Sequence, residues 1–175
     1  SQASMNRSGK KFNQVNQYKG TVQTLHNHGI VVLGCFVLGF DDDMPEILSR
    51  TAEIVYDINV DFPRYALLTP FPGSHLFTRF KKEGRLLTED WSFYDSQHVV
   101  FQPKHMSPIQ LQQIFSDTLK QSFSYRHIFH RAQVAPHSLL LSLVSNWGLR
   151  QALLSSWKEE AEQALTPPAL VMKNV

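Results

Sequence analysis

The sequence predicts an α/β fold with parallel strands, and three observations carry that expectation. Helical and strand-like patterns alternate over residues 1–83, the first strand candidate is apolar without alternation, and both strand candidates end in loops that carry glycine and open the next helix. Helix, strand, helix, strand, helix is a βα progression. It implies parallel strands joined by right-handed crossovers, and hence a wound sheet or part of a (β/α) barrel. Two or three strands complete neither.

Each element has its own signal. Phe12, Val15, Tyr18, Val22 and Leu25 recur at steps of three and four, which marks one apolar face of a helix ending near Gly29, with His26 and His28 closing it. Ile30 to Phe40 is rich in Val, Ile and Phe, the pattern of a strand covered on both faces. The next helix starts with capping-box spacing between Asp43 and Glu46 and with Pro45 in the first turn. Its buried face is Ile47, Leu48, Ile54, Val55 and Ile58. A second strand is expected from Phe62 to Thr69, then the turn-forming Pro70-Phe71-Pro72-Gly73, then a short helix with Leu76, Phe77 and Phe80.

Past Glu83-Gly84-Arg85 the character changes. A loop-rich stretch with Trp91, Phe93 and Tyr94 leads to a short extended run from His98 to Phe101. Ser107, Pro108 and Gln110 sign a helix start, and that helix is expected to reach about Arg131. Two weaker helical segments follow, from Ser138 to Ser145 and from Leu149 to Ala164, before a Pro-Pro break. The organisation expected is therefore a strand-bearing part over 1–83, a loop-rich and helical extension over 84–165, and a flexible tail over 166–175.

Composition narrows the functional classes. With 42% hydrophobic and 18% charged residues the chain has the makings of a packed core. A net charge of +2 without dense Lys or Arg runs gives no polyanion-binding surface, so a nucleic-acid partner is not expected. The longest apolar run, Ile30 to Phe40, falls well short of the ~20 residues of a membrane-spanning helix. No membrane span and a cytoplasmic location are expected. The single cysteine, Cys35, can complete neither a disulfide nor a cysteine-ligated cluster within the chain. The opening residues run straight into a helical pattern without an initiator Met, as in a trimmed chain or one that begins within a domain.

In a parallel sheet the ligand side is the carboxyl end of the strands. At the first strand exit Gly39 is the ligand-side candidate, while Gly34, within the strand, reads as a packing contact. Clustered Asp41, Asp42 and Asp43 invite a metal reading, but Asp43 is accounted for as a helix cap, which leaves Asp41 free to face a substrate. At the second exit Pro70, Phe71 and Pro72 stiffen a loop, Gly73 permits positive φ, and Ser74 is placed to cap the following helix. His127 and His130 share a helix face, read as a solvated basic face with Arg126 and Arg131 rather than a metal site. Trp91, Phe93 and Tyr94 read as pins for their loop, and Cys35 as a buried, inert thiol.

The segments SQASMNRSGKKFN, LHNHGIVVLGCFVLGFDDD and PRYALLTPFPGSHLFTRFKKEGRLLTEDWSFYDSQHVVFQPKHMSP, in this order, resemble the back part of radical S-adenosylmethionine proteins of the cobalamin-binding-domain class. The resemblance covers about Ser1 to Arg131. It implies a partial (β/α) barrel followed by a mostly helical C-terminal extension. It also implies an enzyme, a methyltransferase or a catalyst of radical rearrangement, that acts on a small-molecule substrate. S-adenosylmethionine, a [4Fe-4S] cluster and cobalamin are the cofactors implied for the whole polypeptide. Val37 and Gly39 match the strand-exit motif associated with adenosylmethionine contact, and Pro70, Phe71, Pro72 and Gly73 match the later strand-end loop on the substrate side, to which the residue reading adds Asp41. The CxxxCxxC cluster motif, the cobalamin domain and the first barrel strands are not in this chain. The reading is therefore of a fragment that is inactive alone, poorly soluble, and partnered by the missing N-terminal part of the same polypeptide. The alternative is a non-catalytic remnant or partner subunit that packs on a complete barrel.

Overall fold

In a computed structural model the described residues are 14–164, with side chains over 14–153. A short 3-10 turn, Val15–Gln17, leads into α1, Tyr18–Asn27, whose inward residue is the buried Val22. Phe12 lies outside the described residues, as does the expected tail. Strand β1, Leu33–Leu38, is followed by two helices, α2 at Pro45–Leu48 and α3 at Thr51–Asp57, and then by β2 at Phe62–Leu67. The remaining helices are α4, His75–Lys82; α5, Pro108–Ser122; α6, Tyr125–Val134; and α7, Leu139–Ala164.

β1 and β2 pair in parallel, from Leu33 opposite Phe62 to Leu38 opposite Leu67. Because side chains alternate along a strand, this register sorts the sheet into two faces. Gly34, Phe36 and Leu38 share one with Pro63, Tyr65 and Leu67, and α3 and α5 pack over it. Here the core forms, with Leu38, Leu48, Val55, Leu67, Phe80, Phe101, Leu111 and Phe115 all buried. Gly34 is a packing contact, as expected: a Cβ there would meet Val60 and Phe36 at 2.8 and 2.9 Å. The opposite face carries Leu33, Cys35 and Val37 beside Phe62, Arg64 and Ala66. It is open, with Leu33 61% and Val37 38% exposed.

Several expectations are corrected. Among the described residues β1 is covered on one face, not two, and Cys35 is exposed rather than buried. The single helix expected after β1 is broken at Ser49 and Arg50, and its N-cap is Met44, whose side chain accepts no capping bond. The helix expected to run from Ser107 to Arg131 stops at Ser122 and restarts at Tyr125, because Ser124 adopts an extended conformation with φ −65° and ψ 156°. The two weak C-terminal segments form one helix, α7. The run from His98 to Phe101 contributes one antiparallel bridge, Leu86 to Phe101. Ser107 does cap α5, accepting a hydrogen bond from the Gln110 amide at 3.1 Å, with Pro108 in the first turn.

At the amino end of the sheet, Asp61 ties three segments together. Its fully buried carboxylate accepts a hydrogen bond from the Val32 amide and pairs with Nε2 of His26, both at 2.8 Å. A carboxyl group in so dry a place requires partners of this kind. The end of α1 and the start of β1 are thereby fixed against the start of β2.

Candidate functional site

The carboxyl ends of β1 and β2 lie side by side, and the Leu68 amide extends the ladder by donating to the Leu38 carbonyl at 2.8 Å. Two loops leave from there. In the first, Gly39 has φ +101°, a conformation open to glycine at little cost. Its amide and that of Phe40 both donate to Oδ2 of Asp43, at 3.0 and 2.9 Å. Asp43 thus closes the strand exit from behind and does not cap the next helix. A Cβ on Gly39 would stand 2.9 Å from Leu111 Cδ2 and 3.3 Å from Phe101 Cζ. The close approach that Gly39 permits is to α5 and the Phe101 segment.

Asp41, expected to be free, is not. Its buried carboxylate faces Arg85 at 2.8 Å, Arg79 at 3.0 Å and Lys104 at 3.4 Å. Burial by itself would raise its pKa, but the Arg85 hydrogen bond and charge, with Lys104 and Arg79 behind them, hold the carboxyl below its usual range. Arg85 is itself fixed: it donates to the Gln102 carbonyl at 2.8 Å, pairs with Glu83 at 3.0 Å, and lies 4.1 Å over the Phe80 ring. Asp41 therefore anchors α4 and the 84–104 segment to the first strand exit. Sequence reasoning misses Arg79, Arg85 and Lys104, since each sits far from Asp41 along the chain.

The second loop has the expected local geometry. Pro70 is buried and Phe71 is 49% exposed. Gly73 has φ +80°, and a Cβ there would stand in open space, with nothing within 4 Å. Ser74 accepts from the Phe77 amide at 3.1 Å and so caps α4. Against α4, Trp91 packs on Phe77 and Tyr94, and the Tyr94 hydroxyl donates to the Thr88 carbonyl at 2.7 Å. Trp91 and Tyr94 pin their loop, while Phe93 packs edge-on to His98.

The histidine pair is also corrected. His127 is 2% exposed and His130 stacks on Tyr56 with ring centres 3.8 Å apart, while its Nε2 meets the Asn59 side chain at 2.8 Å. The face is packed on α3 rather than solvated. Burial, ahead of the Arg131 charge, lowers the pKa of both rings, although Glu53 opposes this at His127. Arg131 is buried too, donating to the Ser122 carbonyl and to Asn146, and desolvation brings its pKa down to about 10. Tyr65, buried and bonded to Ser122, is pushed up to about 12.

Of the predicted site residues, Val37 lies on the open sheet face, Gly39 and Asp41 lie in the first exit loop, and Pro70, Phe71, Pro72 and Gly73 form the adjacent second one. The open face adds Arg64, in register with Cys35. Its signal in the sequence is a lone cation inside an apolar strand. A [4Fe-4S] cluster does not fit this chain, because one cysteine cannot supply the thiolates such a cluster needs. Among the described residues no three or more His, Cys, Asp or Glu side chains gather to hold a metal ion. Nor is any helix among them long and apolar enough to cross a membrane.

No family model matches the chain. Comparison with characterised proteins does find relatives. The chain is 33% identical over 127 residues to a bacteriochlorophyllide d C-12(1)-methyltransferase of Chlorobaculum tepidum, a match that covers 73% of this chain and 27% of that protein. It is 20% identical over 159 residues to the bacteriochlorophyllide d C-8(2)-methyltransferase of the same organism, covering 91% of this chain and 35% of the relative. An anaerobic magnesium-protoporphyrin IX monomethyl ester cyclase of Rubrivivax gelatinosus is 34% identical over 67 residues, covering 38% of this chain and 12% of that enzyme. The chain thus spans about a third or less of the length of these relatives. Motifs and relatives agree: the chain belongs with the radical S-adenosylmethionine proteins of the cobalamin-binding class.

Proposed function

We propose that this chain is the substrate-side piece of a longer radical S-adenosylmethionine enzyme, a methyltransferase or cyclase acting on a carboxylate-bearing tetrapyrrole. The observation that carries the reading is the one-sided sheet. Helices wall β1 and β2 on one face, while the face with Leu33, Cys35, Val37, Phe62, Arg64 and Ala66 is open. In a closed (β/α) barrel that face is the interior, and its carboxyl end is where substrates bind.

The residues then divide by task. Val37 and the Gly39 exit contribute to the wall beside S-adenosylmethionine, and Pro70 to Gly73 present a stiff loop with the exposed Phe71 to the substrate. Asp41, through its three cations, keeps the first loop and α4 in place. The family's cofactors would supply the radical and methyl-transfer chemistry, and the residues that would hold a cluster are not among those of this chain. The tetrapyrrole assignment rests on the names of the three relatives.

Anaerobic reconstitution with iron and sulfide tests this. The longer polypeptide is expected to bind a cluster and, with a reductant, to release 5'-deoxyadenosine from S-adenosylmethionine. The 175-residue chain, with its one cysteine, is expected to do neither. Cluster binding with adenosylmethionine cleavage by the short chain, or none by the long one, would refute the proposal.

A further inference from the structure

Arg64 stands apart among the described arginines. Arg79, Arg85, Arg126, Arg131 and Arg150 each have a carboxylate, carbonyl or amide partner. Arg50, in the exposed turn between α2 and α3, has none among the described residues. Arg64 also has none among the described residues, yet it sits in the middle of a strand whose same-face neighbours are Phe62 and Ala66, with Leu33, Cys35 and Val37 on the strand beside it. Five of the six residues on that face are uncharged.

Enclosing that face removes water from a guanidinium, which is unfavourable unless an anion meets it. The planar fork of arginine suits a carboxylate, which accepts two parallel hydrogen bonds from it. Resting on the function proposed above, we infer that Arg64 binds a carboxylate of the substrate inside the barrel and so fixes which way round the substrate lies. The apolar neighbours suit the flat body of a macrocycle, and the single cation suits its acid side chain.

The test uses the longer polypeptide and its Arg64→Gln and Arg64→Lys variants, with protoporphyrin IX and its dimethyl ester as probes. Binding is followed by porphyrin absorbance, and S-adenosylmethionine binding and cleavage are measured in parallel. Wild type is expected to prefer the free acid by about tenfold or more, the scale of one charged hydrogen-bonded contact. Arg64→Gln is expected to lose that preference while keeping its affinity for the diester, and Arg64→Lys to retain part of it.

An unchanged acid preference in Arg64→Gln overturns the inference, as does an enzyme that cleaves S-adenosylmethionine but binds neither porphyrin. Weakened S-adenosylmethionine binding in Arg64→Gln, with the porphyrin preference intact, moves the contact to the cofactor's carboxylate and overturns the substrate assignment. A drop in melting temperature with both ligands bound normally overturns it too, since the partner is then an acidic side chain of the barrel. Loss of adenosylmethionine cleavage in wild type is a different failure, and it sinks the parent proposal.

Discussion

Replacing Gly39 by alanine tests the first strand exit directly. Gly39 has φ +101°, and holding an L-residue there costs about 1–3 kcal/mol. The added methyl would also lie 2.9 Å from Leu111 Cδ2, where both residues are buried, and forcing a methyl into a packed core costs about 1–3 kcal/mol more. The sum is about 4 kcal/mol, or a fall in melting temperature of roughly 12 °C for a chain of this size. Gly73→Ala provides the control. Gly73 has φ +80° but open space around it, so only the backbone strain remains, about 1–2 kcal/mol. Thermal unfolding by circular dichroism reads both. A double substitution, Gly39→Ala with Leu111→Ala, separates the causes, because vacating the Leu111 side chain leaves room for the new methyl. The two changes together should then cost less than their sum. Equal melting temperatures for Gly39→Ala and Gly73→Ala, or strict additivity with Leu111→Ala, would refute the packing account of Gly39.

Three further outcomes are expected. Lowering the pH through 6.5 should destabilise the chain, because His127 and His130 have folded-state pKa values below that ordinary value: their contribution is present above it and is lost as both rings charge. A His127→Gln, His130→Gln variant should show a flatter dependence of stability on pH between 7 and 5 in urea titrations. Asp61→Ala should cost about 3–5 kcal/mol, since it removes the partner of His26 and of the Val32 amide from a fully buried position, and this is measurable as a lower urea midpoint. Asp41 gives the opposite end of the pH range: its depressed pKa means a contribution present above 3.8 that disappears on further acidification, and Asp41→Asn should remove that acid-limb slope.

How much of this is legible in the sequence depends on what each residue answers to. The Gly73 and Ser74 turn is legible because φ and a capping hydroxyl are local properties. The strand at Leu33 is legible in type but not in environment: its apolar run fits cover on both faces, whereas the described residues cover one. Asp43 shows how a local signal misleads, since its spacing to Glu46 fits a cap while its carboxylate turns back to Gly39 and Phe40. His127 and His130 look solvated beside two arginines, but the apolar Ile128 and Ala132 and the ring of Tyr56 draw that face onto α3. The Asp41 cluster joins residues up to 63 positions apart, 41 to 104, and pairings of that range leave no periodicity to read.

Cys35 gives the most direct test that the open sheet face is a barrel interior. Alkylation by iodoacetamide, quantified at the Cys35 peptide by mass spectrometry, reports on that face alone. In the 175-residue chain the thiol is exposed and should be open to the reagent. In the longer polypeptide the rest of the barrel should cover it and slow the reaction at least about tenfold, a factor that corresponds to about 1.4 kcal/mol of opening. Equal rates in the two would contradict the account, because the face that carries Cys35, Val37 and Arg64 would then be an outer surface.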